Sequence, residues 1–294
     1  MSEARPLAAA VWMLGSVVSF TAMAVAARHV QSVHDSFEVL MVRSAIGFVL
    51  VLVYGALRGQ LRQVTAQNLG GHFLRNIVHF TGQNLWFIAL TLIPLAQVFA
   101  LEFTSPIWVI LLSPLFLGET LSARRLAAAG LGFLGILIAT RPDFTSLHPG
   151  VLIGLGAAVC FATVSILTKR LTRGTPVIGI LFWLTLMQFF FGLIASGHDL
   201  QVTWPTGATL PWLALIGLCG VTAHLSLTTA LSLAPASYVM PVDFLRLPLI
   251  AVIGALLYAE PVDPLVLAGG AVIFAGIWLN LRASPVESRE TPRQ

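Results

Sequence analysis

The sequence predicts an all-α integral membrane protein of ten transmembrane helices, arranged as two five-helix halves of inverted topology. Three observations lead to this class. Apolar residues make up 57% of the 294 and charged residues 10%, with a mean hydropathy of +0.90, so there are far too few charges to cover a water-soluble globule. The chain repeats itself at an offset of 141 residues. Its basic residues are concentrated in alternate loops, as in a multi-pass membrane chain.

Ten apolar runs are long enough to cross the roughly 30 Å hydrocarbon core at about 1.5 Å per residue. They lie near 7–27, 36–57, 70–92, 95–117, 122–140, 149–169, 177–197, 210–233, 237–258 and 263–281. The runs are continuous, which excludes the alternating strands of a transmembrane barrel. No small-residue cleavage site follows the first run and its counterpart near 149–169 is in mid-chain, so a retained helix is expected rather than a signal peptide. Connections near 92–95, 233–237 and 258–263 are short and contain Pro94, Pro235 and Pro261, which makes their flanking helices antiparallel neighbours and leaves no room for a soluble domain.

Within these runs the small residues and prolines carry further information. The stretch from Ala127 through Gly135 and its counterpart Ala268-Gly269-Gly270-Ala271 with Gly276 mark close helix contacts, in a scaffold or a dimer. Interior prolines at Pro106, Pro114, Pro241 and Pro248 kink the fourth and ninth helices. A carbonyl freed by a kink is costly in lipid, so these helices are expected to wall a cavity and to form its gate.

The repeat aligns Gly15-Ser16-Val17-Val18-Ser19-Phe20 with Gly156-Ala157-Ala158-Val159-Cys160-Phe161, and Ala89-Leu90 with Ala230-Leu231. It continues without a gap through Pro94 on Pro235, Glu102 on Asp243, Glu119 on Glu260 and Gly135 on Gly276. The expected units are 7–140 and 149–282, followed by a polar, disordered tail over 283–294. If the N-terminus is cytoplasmic, the loops on that side carry Arg5, Arg58, Arg62, Arg124, Arg125, Lys169, Arg170, Arg173, Arg282, Arg289 and Arg293, against Arg28 and Arg141 opposite. Both termini are therefore expected in the cytoplasm. Five helices per half is an odd number, so the second half runs upside down, and a substrate site is expected near the midplane where the halves meet.

The net charge of +4 is scattered over loops without a basic stripe, and no nucleic-acid partner is expected. Cys160 and Cys219 lie in apolar runs without metal-ligand spacing, so neither a disulfide nor a metal is expected, and no motif calls for a cofactor. The expected partners are a small-molecule substrate and membrane lipid, with the chain a monomer or weak homodimer.

Polar side chains at bilayer depth are expensive and mark functional candidates. On the third helix Asn76, His79, Gln83 and Trp86 share one face by their spacings of three, four and three. This stripe suits either contact with an amphipathic molecule or hydrogen bonding between helices, and His79 could carry a coupling proton. His224 is the repeat counterpart of Gln83. Phe99 and Tyr238, at the starts of the kinked helices, are further candidates for substrate contact. Glu102 and Asp243 are repeat-related carboxylates; Asp243 and Arg246 are three apart and could pair, and Arg43 is another basic residue that could compensate Glu102. These four are the coupling or gating candidates.

The stretches Ala89-Leu90 through Pro94, Pro106, Gly118-Glu119 and Gly130 through Gly135, repeated as Ala230-Leu231 through Pro235, Pro248, Ala259-Glu260 and Gly269 through Gly276, resemble the duplicated EamA-type domain of the drug/metabolite transporter superfamily. The resemblance covers about residues 8–282. Within that superfamily the chain is most similar to ten-helix bacterial inner-membrane exporters of amino acids, including the YddG-type aromatic amino acid exporters. The resemblance implies a central cavity between the first four helices of each half, export by alternating access, and a capping or tethering role for Glu119 and Glu260.

The function expected from this is export of neutral or aromatic amino acids or similar metabolites. A carrier of sugar phosphates or nucleotide sugars is the rival within transport, though such anions would want several basic residues where chiefly Arg43, Arg75 and Arg246 lie inside the membrane. A membrane-embedded enzyme is the alternative of a different class, and no G-x-S-x-G, H-E-x-x-H or Walker motif is present to support it.

Overall fold

A computed structural model describes residues 5–30, 32–93, 95–120, 122–141, 149–197, 203–258 and 264–282, apart from the side chains of a few helical residues. The helices are α1 (Pro6–Val30), α2 (Ser36–Leu57), α3 (Leu69–Leu92), α4 (Leu95–Glu102), α5 (Ser105–Leu117), α6 (Ala123–Thr140), α7 (Pro149–Leu171), α8 (Val177–Ser196), α9 (Leu210–Leu233), α10 (Ala236–Val239), α11 (Arg246–Tyr258) and α12 (Pro264–Leu281). A 3-10 segment, Met240–Leu245, joins α10 to α11. The fourth and ninth spans are thus broken, and the remaining eight spans are single helices. The tail over 283–294, Pro94, Pro261 and Glu260 lie outside the described residues.

Nine described segments are long and apolar enough to cross a membrane. The remaining span, α3, has the length but carries His72, Arg75, Asn76, His79, Gln83 and Asn84, which lower its hydropathy. Such a helix has to be screened from lipid by its neighbours.

Helix pairing follows the 141-residue repeat. The helices α7, α8 and α9, the α10–α11 span and α12 are the images of α1, α2, α3, the α4–α5 span and α6. The most extensive packing joins α1 to α9, α3 to α7, α2 to α8 and α6 to α12. The first two of these pairs are images of one another, and the last two map onto themselves. A pseudo-twofold axis therefore passes through the α2–α8 and α6–α12 contacts, as inverted halves require.

Backbone contact in the α6–α12 pair shows the symmetry atom by atom. A Cβ added to Gly135 would lie 2.5 Å from the carbonyl oxygen of Gly269, and one added to Gly276 would lie 2.8 Å from that of Ala128. Subtracting 141 from 276 and from 269 yields 135 and 128, so these two contacts are one contact seen twice. The small-residue stretches face each other within the chain, which is the close approach that their composition predicts.

The breaks have a local cause. A proline cannot donate to the carbonyl four residues before it. Ser105 Oγ instead donates to the Glu102 carbonyl at 2.6 Å, four residues before Pro106, and Ser113 Oγ donates to the Ile110 carbonyl at 3.1 Å, four before Pro114. Thr104 Oγ1 fills the Leu101 carbonyl at 2.7 Å. Around Pro106 and Pro241 the chain does more than kink: it changes helix type or restarts, leaving Glu102 at the end of α4 and Asp243 in the 3-10 segment. Glu119 tethers the start of α10, its carboxylate accepting from the backbone N–H of Ala236 at 2.8 Å and of Ser237 at 3.1 Å.

Substitution Gly135→Leu is expected to destabilise the purified protein by about 1–3 kcal/mol through overpacking, seen as a lower melting temperature. Gly130→Leu, on the same helix where an added Cβ meets nothing within 4 Å, serves as the control and should melt like the parent.

Candidate functional site

Glu102, Asp243 and Arg246 meet where the two broken spans approach. Arg246 Nη2 donates to Glu102 Oε1 at 2.8 Å and to Asp243 Oδ2 at 2.9 Å. Trp86 Nε1, from α3, donates to the other Glu102 oxygen at 2.8 Å. The guanidinium also lies over the rings of Phe103, 5.0 Å from its centroid, and Phe20, 5.5 Å away. One cation thus joins two repeat-related carboxylates and is held between two aromatic faces, an arrangement that lowers the cost of burying all three charges. The predicted pairing of Asp243 with Arg246 is present. Glu102 is compensated by Arg246 rather than by Arg43, whose guanidinium donates to Met23 Sδ at 3.7 Å.

A chain of ring contacts leads from this triad to the middle of α3 and α9. Phe20 meets His224 edge to face at 5.5 Å, and His224 meets His79 at 5.2 Å. His79 in turn lies 6.4 Å from Phe161, the repeat counterpart of Phe20. His79, Gln83 and His224 are all buried, and His79 Nδ1, Gln83 Oε1 and His224 Nδ1 have no hydrogen-bond partner. A cavity of about 20 Å³ is lined by Arg43, Thr185, Gln188 and His224 among others, but not by His79 or Gln83. That space holds about one water molecule and is too small for a metabolite.

The α3 stripe divides into two roles. Asn76 is committed to structure: its amide donates to the His72 carbonyl at 2.9 Å, its side-chain oxygen accepts from Arg75 at 3.0 Å, and its own carbonyl accepts from Gln188 on α8 at 2.9 Å. His79 and Gln83 point unpartnered atoms into the centre, and Trp86 positions Glu102 while meeting the Phe99 ring at 6.2 Å. Tyr238 stands apart from this group. It is almost fully buried among Met13, Ala230 and Leu231, and its carbonyl accepts from Asn280 at 2.7 Å, a packing position at the end of the ninth span. Its place at the start of a broken span explains the expectation; the short α10 turns the ring into the core instead of the centre.

Sequence reasoning passed over Phe20, Phe103 and Gln188 as site residues, and named Arg75 only as a basic residue inside the membrane. Phe20 was visible as the last residue of the repeated Gly15–Phe20 stretch, and Gln188 as the lone amide in an otherwise apolar run. Among the described residues no group of three His, Cys, Asp or Glu side chains could hold a metal.

Comparison with known proteins gives this arrangement its family. The EamA-like transporter family is matched at residues 7–141 and again at 148–282. A riboflavin transporter of Vibrio cholerae is 31% identical over 93% of this chain and 92% of its own, and one of Rhizobium johnstonii is 33% identical over 71% and 69%. An S-adenosylmethionine uptake transporter of Rickettsia felis is 26% identical over 89% and 88%. A crystal structure at 16% identity superposes with a TM-score of 0.81, covering 92% of this chain and 95% of that one, and shares the fold. The chain belongs to the EamA-like transporter family, within the drug/metabolite transporter superfamily.

Replacing Arg246 by Ala is expected to destabilise the protein by about 3–5 kcal/mol, because two carboxylates are then stranded. Adding Glu102→Gln and Asp243→Asn to the same chain should recover most of the loss in melting temperature. A triple variant that melts no higher than the single one would show that ring packing, not ion pairing, makes Arg246 matter.

Proposed function

We propose that this chain is a secondary transporter that carries a small amphipathic metabolite with a fused nitrogen heterocycle into the cell, riboflavin being the first candidate. Relatives alike over nearly their whole length carry the reading: they are named as transporters of riboflavin or S-adenosylmethionine. These two molecules share a flat fused heteroaromatic system joined to a hydroxylated carbon chain. The centre offers such a molecule ring faces at Trp86 and Phe99, with unpartnered polar atoms on His79, Gln83 and His224.

The substrate part of this reading departs from the expected export of amino acids, since none of the relatives named above is an amino acid exporter. One observation keeps a zwitterionic substrate as a second reading. The carboxylates Glu102 and Asp243 lie in the triad and Arg43 lines the separate small cavity, so an ammonium and a carboxylate on one molecule would each find an opposite charge.

In this proposal both termini face the cytoplasm of a bacterial inner membrane, as the loop charges suggest. The broken fourth and ninth spans are the moving parts of an alternating-access cycle. The protein acts as a monomer, because the small-residue faces of α6 and α12 are already covered by each other.

Counterflow in liposomes is the test, with labelled riboflavin, S-adenosylmethionine and aromatic amino acids compared side by side. Riboflavin should exchange fastest; exchange of amino acids alone would overturn the substrate. Gln83→Ala should slow riboflavin exchange by about tenfold, the value of one buried hydrogen bond to substrate, without lowering expression. Rates indifferent to an imposed pH gradient would remove any coupling role for His79 and Glu102.

A further inference from the structure

We infer that Arg43 and Arg75, with His224, form a buried site for a small anionic oxygen group, a carboxylate or a phosphate, that binds in the centre beside the transported molecule. The inference rests on the centre being the substrate path and names the anion that accompanies a heterocycle such as riboflavin, which itself carries no carboxylate or phosphate.

The two arginines differ from Arg246 in their partners. Arg75 donates from Nε to Thr168 Oγ1 at 3.2 Å and from Nη1 to Asn76 Oδ1 at 3.0 Å, both neutral acceptors, and its Nη2 has no partner although the residue is 1% exposed. Arg43 donates to the sulfur of Met23. Among the described residues neither lies within salt-bridge distance of a carboxylate. A guanidinium held at membrane depth without a counter-charge is costly, and a chain that keeps two gains from a ligand that neutralises them.

The geometry supplies a place for that ligand. Arg43 and His224 line the small central cavity, and His224 Nδ1 has no partner. Gln188 connects the cavity to Arg75, since it lines the same space while donating to the Asn76 carbonyl at 2.9 Å. Counting the centre as a whole, the guanidiniums of Arg43, Arg75 and Arg246 outnumber the carboxylates of Glu102 and Asp243 by one, and a monoanion restores neutrality. The planar fork of an arginine matches a carboxylate or phosphate with two parallel hydrogen bonds.

The test uses purified full-length protein in detergent and reads melting temperature with inorganic phosphate, acetate or chloride at matched pH and ionic strength. Phosphate or acetate should raise the melting temperature over chloride by about 3 °C at concentrations well above dissociation. A response to phosphate alone points to a phosphate, and a response to acetate points to a carboxylate. Arg43→Gln should abolish the shift. Should Arg75→Gln not fold, Arg43→Gln decides alone, because its hydrogen bonding to the scaffold is slight. No stabilisation over chloride, or a shift that survives Arg43→Gln, overturns the site. Riboflavin counterflow separates this result from the transport reading: exchange without an anion shift removes only the anion site, and an anion shift without exchange of any heterocycle removes only the heterocyclic substrate.

Discussion

Hydrocarbon solvates no polar atom, and the form of this molecule follows from that one constraint. Eight spans are unbroken helices because an unbroken helix satisfies its own backbone. Two spans are broken, and in the first half each carbonyl that a proline cannot serve is filled by a neighbouring hydroxyl: Ser105 for Glu102, Ser113 for Ile110. The Ser-Pro pairs are therefore the local condition for a break that lipid would otherwise forbid. Once the break is permitted, Glu102 at the end of α4 turns to the interior, where Arg246 and Trp86 complete it.

Duplication makes the frame symmetric and leaves the centre free to differ. The Gly135–Gly269 and Gly276–Ala128 contacts are copies, as are the α1–α9 and α3–α7 pairings. At the centre the copies part: His79 answers to Gly220, Gln83 to His224, and Ser105 to Arg246. The last difference has the largest consequence. Ser105 shares its single hydroxyl proton between the Glu102 carbonyl at 2.6 Å and the Ala158 carbonyl at 3.0 Å, which ties α5 to α7, whereas the matching position in the second half sends a guanidinium to both carboxylates. A strictly symmetric centre would hold two arginines or none; the single Arg246 between two carboxylates leaves this triad with one negative charge in excess.

The spans, the inversion and the inward-facing α3 stripe were legible in the sequence because each depends on spacing along a single helix. The 141-residue offset and the run boundaries required no knowledge of which helices touch. The Asp243–Arg246 pair was legible for the same reason, being three residues apart on one segment. What could not be read was register between helices. Arg43 and Arg246 were equally plausible partners for Glu102 by composition, and only the angle between the broken spans chooses Arg246. Asn76 shares a face with His79, yet lies one turn nearer α8 and is consumed by Gln188 and Arg75. Tyr238 was misplaced because a span assumed to be merely kinked begins with a four-residue helix, which rotates its ring into the core.

The size of the cavity at Arg43 and His224 sets a problem that bears on the triad. A metabolite-sized site needs a few hundred cubic ångströms and this cavity has roughly 20 Å³, so its walls have to separate for a substrate to occupy it. The α6–α12 pair is a poor place to part, since its backbones are in contact through glycine and any gap forfeits that packing. Between the broken spans the situation is different. The Arg246–Glu102 bond crosses from one half to the other, while Arg246–Asp243 lies within the second half and Trp86–Glu102 within the first. Pulling the halves apart here breaks one ion pair: Arg246 keeps Asp243, while Glu102 keeps the indole N–H but loses its counter-charge. The expense lies between that of a charge-assisted hydrogen bond, about 1.5–3 kcal/mol, and that of a buried carboxylate without a cation, about 3–5 kcal/mol. A contact between the halves that opens at this cost, joined through Phe20 to the unpartnered imidazole nitrogens of His224 and His79, is where substrate binding energy can act on the conformation.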